Sequence, residues 1–208
     1  GNIAYVSITS MDDLSPDGEE YSDRAAADQA MAAVMADVGN AAAMIVDIRA
    51  NEGGFDAVSL AIASWFAGSR RVAWTEQVRN GPGHTDFDPP VSTFVEATRP
   101  GGFTGPVVLL TSGGTFSAAE TFALAMRVRD NVTIMGEPTS GHLSDLIDGT
   151  LPNGWQFSYS GERYIAADGQ LYEARGIPVD RLVTFDAAAL ASGRDIMLEQ
   201  ALAALGQD

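Results

Sequence analysis

Two stretches of this sequence follow one plan. Ala43-Met44-Ile45-Val46-Asp47-Ile48 and Pro106-Val107-Val108-Leu109-Leu110 are short, unbroken apolar runs, and each enters a polar loop with paired glycines before a segment of helical character. An apolar run without alternation is the pattern of a strand buried on both faces, which parallel strands covered by helices require. The chain therefore reads as an α/β domain with a largely parallel sheet, whose sites lie in the loops at the strands' carboxyl ends. Ile3 to Ile8 reads as a first strand, the Ala- and Met-rich segment that follows Asp23 to about Val38 as a helix stopped by Gly39-Asn40, and Asp56 as the cap of a helix running to Phe66. Arg70 to Arg79 is expected to be extended, Asn80 to Pro90 to be a loop, Ser117 to Val128 to be helical and Val132 to Met135 to be a strand. Leu146 to Tyr164 is expected to form a C-terminal hairpin region, turning at Pro152-Asn153-Gly154 and again at Ser160-Gly161, and Arg194 to Leu205 to close as a helix.

No repeat or linker divides residues 1–208, so one domain is expected. The formal net charge of -16 repels polyanions, which disfavours nucleic acid and an anionic membrane surface as partners. The apolar runs fall far short of the roughly 20 residues that span a bilayer. The chain has no cysteine, which removes disulfides and thiol nucleophiles but leaves the compartment open. All 12 basic residues are arginine, so no lysine is present to act as a base. His84 and His142 are the histidines and no H-E-x-x-H spacing occurs, so no metal is expected; without a nucleotide-binding glycine fingerprint, no cofactor is expected either. The opening Gly1-Asn2-Ile3 lacks an initiator Met and a signal-peptide pattern, and reads as starting inside a longer protein.

The loop Thr111-Ser112-Gly113-Gly114-Thr115-Phe116-Ser117 places Ser117 where a buried strand has ended and a helix begins. There an oxyanion would meet the Ala118 N–H and the positive end of the helix dipole, an arrangement suited to acyl transfer. The alternative is an ordinary helix N-cap. The loop Asp47 to Gly54 offers Gly54 as a second N–H donor, and Gly53 and Gly114 as places where substrate lies against bare backbone, or else turns that need positive φ.

Together these loops resemble the C-terminal processing, or tail-specific, serine peptidases, with their relatives the tricorn protease core and the interphotoreceptor retinoid-binding protein. Asp47 to Gly54 matches Asp-x-Arg-x-Asn-x-Gly-Gly, and Thr111 to Glu120 matches Thr-Ser-x-x-Thr-x-Ser-Ala-x-Glu. Gly136 to Gly141 is similar to the family's Gly-x-x-Thr-x-Gly turn, and Tyr172 to Asp180 to its Glu-Gly-x-Gly-Ile-x-Pro-Asp segment. The resemblance implies a crotonase-like fold, Ser117 as nucleophile and Gly54 and Ala118 as the oxyanion hole. It also implies a peptide or unfolded protein as substrate and a bacterial cell-envelope, periplasmic or secreted setting. In the bacterial branch the base is a lysine just after the Gly-x-x-Thr-x-Gly turn, and here that position is His142.

A tricorn-like branch takes its histidine from upstream of the core and a carboxylate from the position of Glu173. His142 is thus a base, with Ser144 or Asp145 to position it, or a histidine lining the cleft. Glu173 either orients a catalytic group or is a structural acceptor, and His84 reads as a solvated loop residue. The leading reading is an endopeptidase forming an acyl-enzyme at Ser117. The alternatives are a catalytically silent module binding peptide or hydrophobic ligand, and thioester chemistry on an acyl-coenzyme A, which the serine motif and the acidity disfavour.

Overall fold

The structure, a computed structural model, describes residues 2–12, 14–16, 19–38 and 40–206. In chain order its elements begin with β1 (Ile3–Ser7), α1 (Glu20–Val38), β2 (Ala43–Asp47), α2 (Asp56–Ala63), β3 (Arg71–Val78), β4 (Val91–Val95) and β5 (Val107–Thr111). They continue with α3 (Ala118–Arg127), β6 (Val132–Gly136), β7 (Leu146–Thr150), β8 (Gln156–Ser160), β9 (Glu162–Ala166), β10 (Arg181–Leu182), α4 (Ala187–Ala191) and α5 (Ile196–Leu205).

The central sheet has the order β1-β2-β5-β6-β10 and every pairing in it is parallel, so the carboxyl ends of all five strands share one edge. β2 and β5 are buried along their whole length, which is why they read as unbroken apolar runs. Side chains alternate between two cores. Met44, Val46, Val107 and Leu109 face the layer that contains Phe122 and Val58, while Ile45, Val108 and Leu110 face Met197 and Ala201 of α5. A second, antiparallel sheet, β4-β3-β9, packs its β3 against α3, and Trp74 of β3 stacks on Tyr164 of β9 at 5.9 Å. Among the described residues no helix is long and apolar enough to cross a membrane.

Two local expectations are corrected. The turn at Pro152-Asn153-Gly154 does join β7 to β8, but no hairpin forms across Ser160-Gly161, because β9 leaves β8 and pairs with β3. Burial decides this: Tyr164 and Ala166 are enclosed in β9, while every residue of β8 is exposed. Nor is Asp56 a cap. The N-cap of α2 is Phe55, Asp56 is the first helical residue, and the helix ends at Ala63 rather than Phe66, which lies in an isolated bridge to Phe103.

Candidate active site

Ser117 stands immediately before α3 with φ 54° and ψ -126°. An N-cap residue normally has extended backbone and accepts a hydrogen bond from the next turn through its side chain. Ser117 does neither, and among the described residues its hydroxyl has no hydrogen-bond partner. A side-chain-bearing residue in this conformation carries strain of about 1–3 kcal/mol. It is held by its neighbours: the Ser117 carbonyl accepts from Glu120 N at 2.7 Å, and Phe116 N donates to the Asn51 carbonyl at 3.1 Å.

The two glycine loops are fastened to one another. Thr115 Oγ1 donates to the Ile48 carbonyl (3.0 Å) and Ser112 Oγ to the Arg49 carbonyl (2.6 Å). The fully buried Asn51 takes the Gly53 N–H on its Oδ1 (2.9 Å) and gives its Nδ2 to the Ile8 carbonyl (3.0 Å), tying the first loop to the end of β1. Gly53 abuts the serine: with φ 103°, a Cβ there would fall 2.7 Å from Ser117 Cβ and 2.9 Å from Ala118 N. At Gly54, φ 137°, a Cβ would fall on the backbone of Met11 and Asp12. The chain itself therefore fills the space at Gly53 that the sequence reading gives to substrate, and packs as closely against Gly54. Gly114 is different: it is exposed on the rim, where a Cβ would lie 3.0 Å from the Arg49 carbonyl. The N–H groups of Gly54 and Ala118 donate to no group among the described residues.

Glu120, a position inside the matched motif to which sequence reasoning gave no role, organises the rest of the site. It is fully buried in α3, and its Oε1 accepts from Thr139 Oγ1 (2.6 Å) and Gly141 N (2.7 Å). Its Oε2 accepts from His142 N (2.7 Å). Burial pushes its carboxyl pKa upward, and these hydrogen bonds oppose the rise without cancelling it. Thr139 Oγ1 in turn accepts from Ile177 N (2.7 Å), and Ala174 N donates to the Gly141 carbonyl (2.7 Å). A Cβ on Gly141, φ 82°, would sit 2.6 Å from Gly176 N, so the Gly-x-x-Thr-x-Gly turn and the Tyr172 to Asp180 segment are locked together by close backbone approach. The spacing Ser117-x-x-Glu120 is that of a capping box, which signals an N3 glutamate turned back toward Ser117 but not its partners at 139, 141 and 142.

His142 lies beside the serine loop without joining Ser117. Its Nδ1 is 2.8 Å from Ser140 Oγ and its ring stacks on Phe116 at 5.0 Å, and no hydrogen bond links it to the Ser117 hydroxyl. Ser140 thus stands where Ser144 or Asp145 was expected; Ser144 Oγ pairs with Ser160 Oγ instead. Glu173 Oε2 accepts from the backbone N–H of Leu143 (3.0 Å) and Ser144 (3.1 Å), so it holds the main chain after His142 and not an imidazole. His84 is exposed in the loop after β3, and no group of three or more metal-ligating side chains exists among the described residues.

Asp56, two residues past Gly54, is a second, half-buried acid. Burial pushes its pKa up to about 6, and the charges of Asp145 and Glu76 add to the rise, against hydrogen bonds from Thr121 Oγ1 (2.7 Å) and the Tyr164 hydroxyl (3.4 Å). The folded state therefore holds a proton that the unfolded chain releases near pH 4. The contribution of Asp56 to stability is greatest below that pH and is lost as pH rises through about 6, by about 3 kcal/mol at most. Urea unfolding at pH 4.5 and 7.5 is expected to show this fall in the unsubstituted chain and a flatter profile in Asp56→Asn; equal profiles would assign the slope to other acids.

A depression of about 400 Å³ is lined by Glu52, Gly113, Gly114 and Phe116. Another, of about 350 Å³, runs past Thr9, Asp12, Glu52, Gly53 and Gly54. The model of peptidase family S41 matches residues 2–183. The carboxy-terminal processing protease CtpA of Bacillus subtilis (strain 168) is 26% identical over 133 residues, which are 64% of this chain and 27% of that protein. A candidate peptidase of Parabacteroides merdae ATCC 43184 superposes with a TM-score of 0.83 at 28% identity, over 98% of this chain and 61% of that one. The photosystem II D1 C-terminal processing protease superposes with a TM-score of 0.63 at 22% identity, over 98% and 46%, a likeness of fold. The chain thus spans about a quarter of the curated relative's length.

Proposed function

We propose that this chain, which belongs to peptidase family S41, is the core of a serine-type endopeptidase that cleaves polypeptides near their carboxyl ends. The observation that carries the reading is the strained backbone of Ser117, which presents an unengaged hydroxyl at the start of α3. Ser117 Oγ attacks the scissile carbonyl carbon and gives up its proton to a base. The resulting oxyanion is held by the N–H groups of Gly54 and Ala118, both without another acceptor among the described residues. The C–N bond then breaks, the amine leaves with a proton, and water hydrolyses the ester. Gly53 supports the nucleophile by contact, and the exposed Gly114 lets an extended substrate cross the rim. The crotonase-like identity of the fold belongs to this proposal and is supported by the matched motifs and the parallel sheet. So does a setting in the bacterial envelope, periplasm or medium, which the family resemblance supports.

For the base, the arrangement favours a group outside the contacts described above, with His142 and Glu173 shaping the loop beside it. Acylation of the 208-residue chain by a fluorophosphonate is therefore expected to be slow, and His142→Ala to keep most of the rate. Rapid labelling that disappears in His142→Ala would make His142 the base.

A further inference from the structure

A cavity of about 530 Å³, larger than the two depressions described above, opens at the carboxyl edge of the sheet; it meets the substrate rim at Gly113 and Gly114 and is not lined by Ser117. Its floor is charged. Arg49 donates to Asp47 through Nη2 (2.6 Å) and Nε (2.9 Å), and to Asp195 through Nη1 (2.9 Å) and Nη2 (2.7 Å). The Tyr5 hydroxyl also donates to Asp47, at 2.7 Å. Hydrogen bonds from Arg49 hold the Asp195 carboxyl below its ordinary range; at Asp47 burial acts upward, and the bonds from Arg49 and Tyr5 outweigh it. Both carboxyls are ionised at neutral pH, and the guanidinium is spent on them, so an incoming anion meets no free cation.

Glu137 adds a third carboxylate to the lining. Its Oε1 accepts from Phe185 N at 3.0 Å, and its Oε2 has no hydrogen-bond partner among the described residues. Three carboxylates against one guanidinium leave the lining with a formal charge of -2. An apolar wall completes the lining, built from Ile8, Phe185, Leu190 and Met197, with Phe185 and Leu190 about half exposed. Apart from Ile8, that wall lies beyond residue 183, where the match to the family model ends.

We propose that this cavity is a ligand site separate from the Ser117 hydroxyl, and that its ligand is a small apolar amine. The ammonium group faces Glu137 and the Asp47–Asp195 floor, and the aliphatic or aromatic body lies on Phe185, Leu190 and Met197. The volume is that of ordinary small-molecule sites, and the pairing of an apolar wall with a few convergent polar groups is their usual chemistry. The site does not depend on peptidase chemistry, so it is tested in the Ser117→Ala chain beside the unsubstituted one.

Calorimetric titration at pH 7 uses phenethylamine as the probe and phenylacetate as its anionic counterpart. Phenethylamine is expected to saturate one site with the same Kd in both chains, and phenylacetate to bind at least about tenfold more weakly. Glu137→Gln keeps an acceptor for Phe185 N and removes the charge, and should weaken the amine about five- to tenfold. Leu190→Arg, at a half-exposed position on α4, places a cation in the mouth and should abolish binding while circular dichroism stays unchanged. Equal binding of amine and anion, no saturable binding of the amine, or an unchanged Kd in both variants would overturn the proposal.

Discussion

Glu120→Ala is expected to lower the unfolding free energy by about 3–5 kcal/mol, a fall of about 2 M in the urea midpoint. The side chain is fully enclosed and accepts three hydrogen bonds, from Thr139 Oγ1, Gly141 N and His142 N. Truncation leaves these donors facing a void, and each buried orphan costs about 1–3 kcal/mol, with part of the sum recovered because a desolvated carboxyl is removed. Glu120→Gln separates support of the turn from mere volume. With its oxygen kept toward Thr139 and Gly141, its amide NH2 meets the His142 N–H, donor against donor, so the backbone at His142 moves even though the core stays filled. Amide exchange at His142 is then expected to rise more than at Gly141. A loss below 1 kcal/mol in the alanine variant would mean that the Thr139 to His142 turn stands without Glu120.

Ser117→Gly and Ser117→Ala are each expected to lower acylation and peptide hydrolysis by at least about a thousandfold, and to differ in stability. The Ser117 side chain makes no capping bond, so alanine forfeits little. Alanine does retain the strain of a Cβ at φ 54°, which glycine releases at the cost of more freedom in the unfolded chain. The net expectation is a glycine variant about 1 kcal/mol more stable than the alanine variant, read as a difference in urea midpoint. A glycine variant less stable than alanine would show that the backbone at Ser117 is not strained.

The middle of the fold was legible because β2 and β5 are covered on both faces, and that burial writes itself into sequence as unbroken apolar runs. β10 left no such trace. It has two exposed residues, and its place is set by Asp180, whose N–H and carboxylate pair with the backbone of Ile134 46 residues earlier. The partner of β9 was hidden for a similar reason: Ser160-Gly161 has the composition of a hairpin turn, and only the packing of Tyr164 on Trp74 sends the strand to β3. In the site, the loops and their glycines could be read locally, whereas the backbone angle of Ser117 depends also on Asn51 and Gly53, which act from the other glycine loop more than 60 residues earlier. The roles of Glu120 and Glu173 were equally non-local, since each is defined by the main-chain N–H groups it receives.

The most direct test of the central claim is to map the fluorophosphonate adduct by mass spectrometry after long incubation. One modified residue, Ser117, is expected in the peptide running through Phe116 to Glu120, and no adduct in Ser117→Ala. An adduct on Ser112 or Ser140, or equal labelling of the alanine variant, would contradict it.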